Sequence, residues 1–181
     1  MDTIQAIHTR RSIRAYKPDG VEHTLIEDIL HDAAQAPTTP VSGDWMFHVV
    51  EGVERVADCG ARAKAYAKAH RPSEAGYGWV EREDFVVFLG APVAIVISAP
   101  ADNAQSIQDC NRAGQNLMLS AHARGLGSCW VGSPMLWLRD DATKAELGIP
   151  PHFAPFAAFA LGYPGGAPTG VPRERPTIVW R

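Results

Sequence analysis

Arg10, Arg11, Ser12 and Arg14 stand within one five-residue stretch, with Ile13 as its only apolar member. Guanidinium groups present planar forks of donors that match phosphate oxygens two at a time. A serine hydroxyl and nearby backbone N–H groups complete such a cradle. The chain as a whole is slightly acidic, with 17 Lys and Arg against 20 Asp and Glu. The cluster therefore points to one bound phosphate, not to a general cationic surface. A solvated helix end is the other reading, because basic side chains favour the C-terminal pole of a helix dipole.

The bounds on everything else are broad. A chain of 181 residues, 46% hydrophobic and 20% charged, fits one domain with a sizeable core. A net charge of −3 argues against nucleic acid or an anionic membrane as the main partner. Met1-Asp2-Thr3-Ile4 has no basic n-region followed by an apolar run, so no signal peptide is expected. The longest apolar run, 92–100, is too short to span a bilayer. Cys59, Cys110 and Cys129 form no CxxC pair, which fits reduced thiols and a cytoplasmic address. Seven histidines include no HExxH and no close Cys/His cluster, so no protein-bound metal is expected.

The elements that would position the cluster can be read from periodicity. Residues 2–10 suit a short helix. Leu25, Ile26, Ile29, Leu30 and Ala33 recur at helical spacing, so 22–35 reads as an amphipathic helix closed by Pro37. Residues 46–50 read as a strand and the Ala-rich 53–70 as a helix, while 81–90 are ambiguous. Val93-Ala94-Ile95-Val96-Ile97-Ser98 is a β-branched apolar run and predicts a buried central strand. Residues 103–124 give the longest helix, with a broad apolar face and Gly125 as its C-terminal cap. A short strand follows at 128–132. Asp140-Asp141 opens one more helix that Gly148 closes, and 156–161 read as a second buried strand. Behind a Gly/Pro-rich arm, Thr177-Ile178-Val179-Trp180 reads as a strand without a hairpin partner. Such a strand finds an edge most easily on a second subunit.

Several segments together resemble the FMN-dependent nitroreductase family, in particular its short members. They are Ile7-His8-Thr9-Arg10-Arg11-Ser12-Ile13-Arg14; Gln35-Ala36-Pro37-Thr38-Thr39 followed by Trp45; Gly114-Gln115-Asn116-Leu117; Gly125-Leu126-Gly127-Ser128-Cys129-Trp130-Val131-Gly132; Leu147-Gly148-Ile149-Pro150; and Ala160-Leu161-Gly162-Tyr163-Pro164. The resemblance implies a single α+β domain over 1–181. It implies a central, mostly antiparallel sheet flanked by helices, in a homodimer with an exchanged C-terminal tail. It implies FMN between subunits, with NAD(P)H as co-substrate. Arg10, Arg11, Ser12 and Arg14 fall on positions that hold the phosphate and ribityl chain. Gln35 and Thr39 fall where the second subunit meets the cofactor. Trp130, Val131 and Gly132 fall where backbone groups face the flavin ring, and Arg173 and Arg175 where many members place basic residues at the phosphate. Gly125 and Gly127 are expected to serve as cap and turn.

No Ser-His-Asp set or paired carboxylate is evident, and none is required if the flavin carries the chemistry. The implied reaction is ping-pong hydride transfer from NAD(P)H to a nitroaromatic, quinone or similar small-molecule acceptor. Relatives with the same fold perform dehalogenation, flavin fragmentation or dehydrogenation. A non-enzymatic flavin- or anion-binding module is the remaining alternative. Val41, Gly43 and Asp44 replace an amide–amide–proline pattern common in the family, which removes polar contacts expected near the cofactor or the subunit interface. The segment that forms a lid in larger members is reduced here to residues 101–106. Tyr66, Tyr77, Trp79 and Phe85 are then candidates to line an open site.

Overall fold

The computed structural model describes residues 1–38, 44–71, 76–166, 168 and 173–181. Strands β1 (Met46–Glu51), β2 (Val93–Pro100), β3 (Gly127–Trp130) and β4 (Phe153–Gly162) form one sheet in the order β1-β2-β4-β3. Every pairing is antiparallel. β2 is central and buried on both faces, which is why its sequence reads as a continuous apolar run and not as an alternation.

Alternate residues of β2 feed two cores. Ile95 and Ile97 pack with Phe159 and Leu161 of β4 beneath helices α2 (His23–Ala33) and α4 (Ser106–Ala123). Ala94 and Val96 face the other way, toward Val56, Cys59 and Ala63 of α3 (Val53–His70). α4 lies tight on β4: a Cβ on Gly114 would stand 2.4 Å from Phe159 Cζ. The breadth of the apolar face on α4 reflects this double burial. The three cysteines are free and buried.

β4 begins at Phe153, three residues before the predicted strand. Pro155 discourages a strand assignment from sequence, yet it pairs with Ser98 beside a bulge, where the ladder is already irregular. Helix α5 (Met135–Leu138) is a single turn that the periodicity does not predict, and α6 (Asp141–Glu146) starts as expected, with Asp140 accepting from the Thr143 N–H. The predicted strand at 177–180 forms no ladder within the chain. Residues 173–181 carry neither helix nor strand, and Ile178, Val179 and Trp180 are 60%, 74% and 87% exposed.

Candidate active site

The Arg cluster begins where α1 (Thr3–Thr9) ends. Asp2 caps that helix by accepting from the Gln5 N–H, and the Arg10 N–H closes it onto the Ala6 carbonyl. The chain then straightens along the open edge of β3. Ser12 bridges Ser128 in parallel, and the Ile13 N–H donates to the Ser128 carbonyl at 3.0 Å. Further on, the Tyr16 hydroxyl donates to the Ile13 carbonyl, the Lys17 N–H to Tyr163 and the Gly165 N–H to Ala15. These bonds fix residues 12–17 against the ends of β3 and β4. Gly125 is the expected cap, at φ +80°. Gly127 is not a turn residue. It lies in β3, and its missing side chain makes room for Ile13, which a Cβ there would approach to 2.7 Å.

The four cluster residues have different surroundings. Arg10 is only 8% exposed, and its Nε has no hydrogen-bond partner among the described residues. Burial lowers its pKa, and the neighbouring charges of Arg173 and Arg11 lower it further. Arg11 donates to the carbonyls of His8 and Arg10 at 2.9 and 2.8 Å, so this guanidinium serves the helix end. Ser12 is half-buried on β3, and Arg14 is exposed and faces a cavity of about 580 Å³. The positive field extends beyond the cluster. His122, 2.8 Å from the Thr9 hydroxyl, has its pKa lowered by burial and then by Arg10 and Arg11. Burial raises the Cys129 thiol pKa, against the pull of Arg14 and Arg10.

A buried guanidinium with an open valence, beside further cations, is costly unless an anion joins it. The donor set suits a phosphate. Next to it lies the cavity, lined by Trp130, Val131 and Gly132 at the end of β3 and by Tyr77, Trp79 and Phe85. Ring centroids are 6.3 Å apart for Tyr77–Trp79 and 5.1 Å for Trp79–Phe85. One anion site beside one aromatic-walled slot fits a phosphorylated planar group such as FMN. The Val131 N–H is already donated to the Ala158 carbonyl at 2.8 Å, which leaves it unable to serve a ring. A Cβ on Gly132 would meet nothing within 4 Å, so that backbone is open to close approach.

The remaining predicted residues lie elsewhere. Gln35 is exposed, donates to the His31 carbonyl and lines a separate groove with Asp32, Asn116 and Arg124. Thr39 lies outside the described residues, as do Val41 and Gly43. Arg173 acts on Arg10 through its charge, and Arg175 is exposed. Tyr66 is not part of the cavity wall; its hydroxyl donates to Asp140, and its ring stacks on His70 at 4.1 Å. The cavity also contains Leu89, Ser133, Met135, Leu136 and Arg139, which the sequence did not single out. Leu89 has φ +60°, a strained value for a branched side chain. Ser133 Oγ is buried without a partner among the described residues. The Ser133-Pro134 pair before α5 was the one sequence signal for this wall.

Comparison with known proteins places this geometry in a family context. The sequence pattern of the Nitroreductase family matches residues 7–163. A Methanothermobacter thermautotrophicus protein with the provisional name NADH dehydrogenase/NAD(P)H nitroreductase is 33% identical over 172 residues, covering 93% of this chain and 80% of that protein. The fold matches a nitroreductase with bound FMN from Bacteroides fragilis at TM-score 0.87 and 24% identity, over 99% of this chain and 98% of the other. A nitroreductase with bound FMN from Desulfitobacterium hafniense matches at 0.83 and 26%, over 99% of both chains. An iodotyrosine deiodinase bound to FMN and 3-iodo-L-tyrosine shares the fold at 0.74 and 19%, again over 99% of both chains.

Proposed function

Because the chain belongs to the nitroreductase family, we propose that it is an FMN-dependent oxidoreductase that takes reducing equivalents from NAD(P)H and passes them to a nitroaromatic, quinone or similar small acceptor. The observation that carries this reading is Arg10: a buried cation whose Nε has no partner among the described residues, next to a cavity that Arg14 lines from the same segment. The relative named as an NADH dehydrogenase/NAD(P)H nitroreductase and the FMN-bound neighbours support it.

Arg10, Ser12 and Arg14 would hold the phosphate and ribityl chain, with Arg173 adding charge and Arg175 following it in the tail. Trp130, Val131 and Gly132 would line the place of the ring, where the open Gly132 backbone leaves room for it. Bound FMN supplies reversible hydride acceptance, in a ping-pong cycle where donor and acceptor use one place in turn. The chain's own part is to bind, orient and shield. The Tyr77, Trp79 and Phe85 rings offer an aromatic wall for planar reactants. Gln35, Thr39 and the exposed Ile178, Val179 and Trp180 are assigned to a homodimer in which each tail crosses to the other subunit. No described helix is long and apolar enough to cross a membrane. Three buried free thiols suit a reducing cytoplasm.

Purification tests this directly. The protein should be yellow, should release FMN on heating, and should show bleaching of the flavin absorbance on rapid mixing with NADH or NADPH. Stoichiometric FAD, or no flavin binding at all, would overturn the reading. Bleaching without turnover of nitroaromatics or quinones would leave the flavoprotein and shift the reaction toward the dehalogenation or dehydrogenation chemistry of the same fold.

A further inference from the structure

Arg139 caps the C-terminal end of α5 and lines the same cavity as Tyr77, Trp79 and Phe85. It is exposed, and its acidic neighbours are engaged elsewhere. Asp140 accepts from the Thr143 N–H and hydroxyl and from the Tyr66 hydroxyl. Asp141 lies 3.7 Å from Lys144. Among the described residues no carboxylate pairs with Arg139. Arg62, by contrast, pairs with Glu146 and lies 5.3 Å over the Trp137 ring. Arg14, the other cation on the cavity, belongs to the segment that carries the phosphate cradle.

The cavity thus holds a second cation, set on a different element from the first, in a lining that also carries the Tyr77, Trp79 and Phe85 rings. Guanidinium forks match carboxylate and sulfonate oxygens, and aromatic rings match aromatic rings. We propose that this site selects planar aromatic acceptors that carry an anionic substituent, and that Arg139 receives that substituent. The inference rests on the oxidoreductase reading and adds its substrate class. Arg139 acts here as a binding residue: it fixes the orientation of the acceptor ring from an element separate from the one that carries the phosphate cradle.

The test uses the holoenzyme with a matched pair, 4-nitrobenzoate and 4-nitrobenzamide. It compares the native chain with Arg139→Gln and Arg139→Lys. Because Arg139 is exposed, its pairing is solvent-screened and its effect moderate, about 5–10-fold. Arg139→Gln should lower kcat/KM for 4-nitrobenzoate by about that factor, mainly through KM. It should leave 4-nitrobenzamide within about twofold, and Arg139→Lys should recover part of the loss. Calorimetric titration with benzoate and benzamide gives an equilibrium readout, in which the preference for benzoate should shrink equally in the variant and in high salt.

An unchanged ratio between the two compounds, a loss shared by both, or a loss confined to the KM for NADH or NADPH overturns the proposal. A protein whose flavin is not bleached by NADH or NADPH and that reduces neither compound, yet binds benzoate through Arg139, sinks the oxidoreductase reading and keeps the anion site. A protein that reduces both with Arg139 irrelevant does the reverse.

Discussion

Ile13 fills the space that a side chain on Gly127 would need: a methyl group there would stand 2.7–2.8 Å from three atoms of the Ile13 side chain. Ile13 is branched at Cβ and cannot rotate out of the way. Gly127→Ala should therefore push the 10–14 segment off β3, at about 1–3 kcal/mol. Circular dichroism should show the fold retained, while the flavin-to-protein absorbance ratio falls. A variant with a native ratio would remove Gly127 from the support of the site.

Arg10 is a buried cation whose Nε has no partner among the described residues, so its removal should act oppositely on stability and on FMN binding. Arg10→Ala should weaken FMN binding by about one to two decades, from the loss of charge-assisted hydrogen bonds worth roughly 1.5–3 kcal/mol each. Ser12→Ala should cost less, since its bond involves one charge and not two. Arg10→Met, which keeps the bulk and removes the buried charge, should stabilise the flavin-free protein by roughly 1 kcal/mol, or about 2–4 °C in Tm. Thermal melts and fluorescence titration with FMN on the same samples check both halves.

His48 should make the protein acid-sensitive. It is buried; its Nε2 lies 2.7 Å from the Ser98 hydroxyl and its Nδ1 3.0 Å from the Leu147 carbonyl. Burial lowers its pKa below the ordinary value of 6.5. The unfolded chain then binds more protons than the folded one, so stability rises with pH and is lost as pH falls below about 6.5 toward the lowered folded value. His122 contributes with the same sign. Urea midpoints measured from pH 7.5 to 5 should fall, and His48→Gln should flatten the slope in part. An unchanged slope in that variant would clear His48 of the role.

The tail gives a prediction about assembly. Deleting 173–181 removes Trp180, 87% exposed in the isolated chain. An apolar terminus of this kind persists only when docked. The truncated protein should dissociate at higher concentration in analytical ultracentrifugation and should retain less FMN. A fully flavinylated dimer at sub-micromolar concentration would refute the exchanged tail.

These residues also mark what was legible in the sequence. β2 and α3 were readable because their signals are local: a β-branched run buried on both faces, and an Ala-rich helix opened by Gly52 at φ +103°. The Arg cluster was visible as a cluster, but the division of labour within it was not. Arg11 turns to helix carbonyls and Arg10 inward, and that split depends on how α1 meets β3. Tyr66 could not be told from Tyr77, since only the tertiary fold sends one to Asp140 and the other to the cavity. Arg139 was invisible because α5 is one turn long and leaves no periodicity.

The parallel bridge between Ser12 and Ser128 has a colloidal side. β3 pairs with β4 along one edge only, and the Arg segment covers the other. An uncovered edge is a template for strands of other molecules. The residues proposed for the cradle therefore also shield the β3 edge of the sheet. Variants that loosen the segment should turn cloudy on storage before they unfold, and ligand that restores it should keep them clear.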